Sequence, residues 1–165
     1  MKRVFRYLCG TSDYDLCYQG RPRLDRVLDI CGFFDAYWAR DLDQKRSTSG
    51  YVFNLFGGVV SWMSKKQSVV ELSTTEAKYM VSTHASKEAF WLQRLCSSMG
   101  LVQEAIRIDC DSQSAIFLAK NPAYHSKSKH IDVQYHFVRD MIEDKKVLLV
   151  KVDTLKNTVD ALKNM

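Results

Sequence analysis

The sequence predicts an α/β domain with helices packed on a mixed β-sheet. Three observations carry that class: a first strand followed by an apolar hairpin, a long stretch with apolar residues at helical period, and a later alternation of helical and strand-like segments. The 165 residues fit one domain, and a hydrophobic fraction of 46% with 12% aromatics is enough for a sizeable core.

Taken in order, KRVFRYL (2–8) reads as a short helix and YDLCYQ (14–19) as a strand candidate, before Gly20 and Pro22 break the pattern. The main domain is expected from residue 26, with 1–25 as a separate leading segment. VLDICGFFDAYWA (27–39) is the first strand, and RDLDQKRSTSG (40–50) is a loop rich in turn formers. YVFNLFGGVVSWMS (51–64) is a hairpin turning at Phe56-Gly57-Gly58. Residues 70–99 carry Ala77, Met80, Val81, Ala85, Ala89, Leu92, Leu95 and Met99 at helical spacing, which predicts one long helix. Ser73 with Glu76 resembles a capping box, and Gly100 is a fitting stop. AIRIDCD (105–111) is a fourth strand, SQSAIFLAK a short helix closed by Asn121-Pro122, and 130–144 an amphipathic helix. VLLVKVD (147–153) is the last strand and NTVDALKNM a final short helix.

Composition excludes several classes. No run of about 18 apolar residues exists, so no segment is expected to span a membrane. The basic N-terminus lacks the long apolar stretch of a secretory signal. Five scattered cysteines without metal-ligand spacing predict reduced structural thiols in an intracellular protein, with the cytoplasm or also the nucleus as the expected compartment. A formal charge of +5 permits a polyanionic partner without demanding one.

Asp35 is the odd residue, a carboxylate inside the strand core GFFDAYWA. Burying it is costly unless it holds a metal or a strong partner. The structural alternative is a salt bridge, with Arg40 or Lys65 as the nearby cations. Glu76 near the start of the long helix, Asp111 at the end of the fourth strand and Asp160 in the last helix occupy comparable places. Such positions are where an open α/β sheet converges its functional groups. Each also has a plain reading: Asp111 as a helix cap, Glu76 as half of a capping box, Asp160 as a favoured first-turn acid. Four converging carboxylates would need divalent cations, and their hard oxygens suit Mg²⁺ or Mn²⁺. Two such ions roughly 4 Å apart could drive in-line phosphodiester cleavage. Trp38 and Trp62 are expected in the core.

The blocks GFFDAYWARDLDQKRSTSGYVF, GGVVSWMSKKQSVVELSTTEAKYM, CDSQSAIFLAKNP and HSKSKHIDVQYHFVRD resemble, in order, the ribonuclease H domain of copia-type LTR retrotransposon polyproteins. Residues 1–25 resemble the connection to an upstream reverse transcriptase. The resemblance implies the ribonuclease H-like fold, a mixed five-stranded sheet with helices on both faces. It also implies a two-metal endonuclease that cuts the RNA strand of an RNA–DNA hybrid. By position it assigns catalysis and two Mg²⁺ (or Mn²⁺) ions to Asp35, Glu76, Asp111 and Asp160, with Asp132 as the fallback for Asp160. Nucleic-acid contacts are expected from Arg46, Ser47, Thr48, Ser112, Gln113, Lys127 and Lys129, mostly to sugars and phosphates.

The sequence departs from that family near the acids. Phe34 stands where the family usually has a small polar residue, Tyr37 and Lys78 where it has an acid, and Arg40 where it has Gly. The loop before Asp160 lacks a His and carries Asp153. These departures motivate an alternative: a catalytically degenerate domain that binds nucleic acid or a protein partner without cleaving. A further alternative keeps the metal chemistry but acts on duplex DNA or RNA.

Overall fold

The computed structural model describes residues 2–18, 28–37, 46–68, 70, 73–101, 104–121 and 129–159. Helix α1 (Lys2–Gly10) precedes strands β1 (Ile30–Tyr37), β2 (Thr48–Leu55) and β3 (Gly58–Lys66). Helix α2 (Thr74–Ser98), β4 (Ile106–Cys110), α3 (Gln113–Lys120), α4 (Lys129–Glu143) and β5 (Val147–Lys151) follow, then a 3-10 turn, Thr154–Lys156. The five strands form one mixed sheet in the order β3-β2-β1-β4-β5. β1 runs antiparallel to β2 and parallel to β4, and β4 runs parallel to β5.

The hairpin turns on Phe56 (φ 51°) and Gly57 (φ 83°), the two left-handed positions that let a two-residue connection follow the strand twist. Its strands extend beyond the expected 51–64. Thr48, Ser49 and Gly50 pair with Tyr37, Ala36 and Asp35, so the ladder recruits residues whose polar character had suggested a loop. Residues 14–18 form no strand; Tyr18 instead donates its hydroxyl to Val59 O at 2.9 Å, a side-chain anchor that needs no ladder. α2 begins at the expected cap, where Ser73 Oγ accepts from Glu76 N at 3.1 Å.

Alternation on β1 and β2 sends Ile30, Phe34, Ala36, Tyr51 and Phe53 into the core. They meet Ala77, Val81, Ala85, Ala89 and Leu92 of α2 there, with Ile106, Ile108, Val147 and Leu149 from β4 and β5. Tyr79 and Cys96 are buried with them, whereas Leu95 and Met99 at the helix end are exposed. Trp62 is 61% exposed, not in the core, because it stands on the edge strand β3. Trp38 lies outside the described residues, as does most of the predicted final helix. No helix among the described residues is long and apolar enough to cross a membrane. All five cysteines are free.

Candidate active site

β1 and β4 lie side by side and parallel, with Phe33 opposite Asp109, so Asp35 and Asp111 follow at the carboxyl ends of neighbouring strands. Asp35 alternates onto the face opposite Phe34, beside Gly50, and is 1% exposed. Asp111 lies between the end of β4 and Ser112, which caps α3 by accepting from Ala115 N at 3.2 Å. Cys110, its neighbour, is fully buried, and desolvation first of all pushes the thiol up to about 11.

The cation between the two carboxylates is Lys78 and not Lys65, while Arg40 lies outside the described residues. Its Nζ lies 3.0 Å from Asp35 Oδ1 and 2.5 Å from Asp111 Oδ1, with side-chain exposures of 17%, 1% and 6% for the three residues. Burial acts to lower the Lys78 pKa, but its bonds to Asp111 and Asp35 outweigh that and hold it above the ordinary 10.5. Asp35 Oδ1 also accepts from Ala36 N at 2.7 Å. Asp111 is steadied from the β5 side: Thr154 Oγ1 donates to its Oδ2 at 3.3 Å, and Lys151 Nζ to its backbone oxygen at 2.6 Å.

The start of α2 is fixed by Gln67, whose Nε2 donates to Ser49 Oγ at 2.6 Å and to Ala77 O at 3.1 Å. That clamp holds residue 78 beside the strand ends. Glu76 is two positions earlier on the same helix, and side chains so spaced do not share a face. Asp35 and Asp111 therefore come together around Lys78, while Glu76 is not gathered with them. Among the described residues, no three His, Cys, Asp or Glu side chains approach closely enough to hold a metal ion. Asp160 lies outside the described residues.

Asp35 and Asp111 are suitable hard donors for Mg²⁺ or Mn²⁺, yet the oxygens they turn toward each other are taken by the Lys78 ammonium. The described arrangement does not fit a divalent ion. On the neighbouring surface, Thr75, Gln113, Ser114, Phe117 and Leu118 line a cleft of about 380 Å³. Gln113 is exposed and Ser112 half-buried. Of the other expected contact residues, Arg46 and Thr48 are partly exposed, but Ser47 is fully buried, its carbonyl accepting from Gln67 N at 2.8 Å. Lys127 is outside the described residues; Lys129 opens α4 and Asp132 lies within it, their side chains undescribed.

The overall fold matches solved structures. LC11-RNase H1, in a structure in complex with RNA/DNA hybrid, aligns over 81% of this chain and 92% of its own with a TM-score of 0.57 at 16% identity. The fold is that of ribonuclease H. Curated relatives of the chain are retrovirus-related Pol polyproteins. The chain is 44% identical over 162 residues to the retrovirus-related Pol polyprotein from transposon TNT 1-94 of Nicotiana tabacum. It is 36% identical over 163 residues to that from transposon RE2 of Arabidopsis thaliana. Each match covers 98% of this chain but only 12% and 11% of the relatives' lengths. No family model matches the chain.

Two features of the site escaped sequence reasoning. Gln67 sits in KKQS, a segment without motif character. Lys78 was visible as a departure from the family, but its partnership with Asp35 needed the helix phase to be known.

Proposed function

We propose that the chain is a retroelement ribonuclease H-type domain that engages RNA–DNA hybrid and, as it stands, cleaves it poorly or not at all. The observation that carries this reading is the Lys78 ammonium bridging Asp35 and Asp111. The fold and the Pol polyprotein relatives support hybrid as the ligand and an upstream reverse transcriptase as the partner that shares the grip on it. Arg46, Thr48, Gln113 and Lys129 would meet sugars and phosphates, in the cytoplasmic setting expected of such a domain. The test is hybrid binding by fluorescence anisotropy against duplex DNA and duplex RNA, with cleavage followed in Mg²⁺ and in Mn²⁺. Hybrid preference without cleavage is expected. No preference for hybrid would overturn the ligand assignment.

The rival reading is the full two-metal endonuclease with Asp35, Glu76, Asp111 and Asp160 as ligands, which the overall likeness to ribonuclease H favours. Efficient cleavage by the native chain, lost in both Asp35→Asn and Asp111→Asn, would establish it.

A further inference from the structure

We infer that Lys78 is a built-in counter-cation that takes the place a divalent ion would need between Asp35 and Asp111, so that residue 78 decides whether this site binds metal. The inference deepens the proposed function and rests on its reading of Asp35 and Asp111 as the domain's site.

The geometry leaves little room for both cations. One ammonium contacts an oxygen of each carboxylate, 3.0 and 2.5 Å away, and Asp35 is almost wholly buried, so an incoming ion must evict the ammonium to reach it. The Lys78 backbone cannot easily retreat, because Gln67 clamps the preceding residue to β2. With the lysine present, the trio carries a single net negative charge, which attracts a dication weakly. A glutamate at 78 would supply a third hard carboxylate on the helix face that already reaches both aspartates. Glu76 cannot replace it from two residues away.

The probe is Mn²⁺ alone, titrated without nucleic acid and followed by the loss of the free-ion electron paramagnetic signal. The native chain is expected to show no saturable site dependent on Asp35. Lys78→Glu should bind at least about tenfold more tightly, a change of about 1.4 kcal/mol, and Lys78→Glu combined with Asp35→Asn should lose that gain. Lys78→Gln, which removes the charge without adding a ligand, should fall between. Circular dichroism establishes that each variant is folded. Should the position-78 variants not fold, the native chain still decides through comparison with Asp35→Asn. Native binding of Mn²⁺ that Asp35→Asn abolishes would overturn the inference, as would a folded Lys78→Glu with no gain. Hybrid binding measured without metal fails or succeeds separately, so loss of the functional reading is distinguishable from loss of this one.

Discussion

Replacing Lys78 with methionine keeps the length of the stem and removes the charge, which isolates what the ammonium contributes to folding. In the native chain it pairs with two carboxylates at once, of which Asp35 is 1% and Asp111 6% exposed at the side chain. Breaking a buried ion pair from one side costs about 3–5 kcal/mol, because the remaining charge stays buried without its partner. The lower end applies here: Asp35 keeps its bond from Ala36 N, and Asp111 keeps Thr154. We therefore expect about 3 kcal/mol of destabilisation in urea unfolding, and a Tm lower by roughly 6–12 °C at this chain length. Adding Asp35→Asn should return part of that loss, since it removes the stranded charge; the double-mutant cycle then gives a coupling well outside the error of additivity. A folded Lys78→Met within about 0.5 kcal/mol of native, the range of a neutral surface change, would show that the ammonium does not stabilise the buried carboxylates.

Three other expectations follow from the packing and the titrating groups. Gly32→Ala places a methyl against the Phe53 ring, with Cδ1 and Cζ only 2.9 Å away and the ring fully buried. Overpacking of this kind costs about 1–3 kcal/mol, measurable as a lower urea midpoint at unchanged slope. Asn157→Ala removes a buried amide that donates to Phe34 O at 3.1 Å and accepts from Val159 N at 3.3 Å. It should cost about 1–3 kcal/mol and raise hydrogen exchange across 154–159. The folded state also holds Cys110 at about 11 against an ordinary 9.0, Tyr51 at about 12 against 10.0, and Lys78 above 10.5, so all three bind protons more tightly when folded. Their stabilisation is complete below the ordinary values and is lost as pH rises through the folded ones. Stability should fall from about pH 9 upward, with Cys110 contributing about 2–3 kcal/mol of the decline at about 1.4 kcal/mol per unit. Cys110→Ala should flatten its first part, and an unchanged slope would exclude that assignment.

Asp35 announced itself in the sequence because capping cannot explain a carboxylate among strand aromatics, and Asp111 because it closes a strand before a helix. The requirement for a cation was legible too. Which cation was not, since a lysine's reach depends on helix phase and on where the helix start is pinned. The Ser73 cap fixes the start of α2 along the chain, whereas the Gln67 clamp fixes it against the sheet. Ser47 shows the same limit. Within RSTSG it reads as a turn residue, yet its pairing with Gln67 at the entrance to β2 buries it. Polar residues recruited into a ladder by their neighbours leave no hydrophobic signal behind. Trp62 errs the other way, as a large apolar side chain that the edge position of β3 leaves in solvent.

The most direct test of Lys78 as the site's resident cation is a crystal structure of the native chain grown in Mn²⁺, read by anomalous scattering. The Lys78 ammonium is expected between Asp35 and Asp111, with no manganese peak there. A manganese ion bound by both carboxylates, with the lysine turned away, would contradict it.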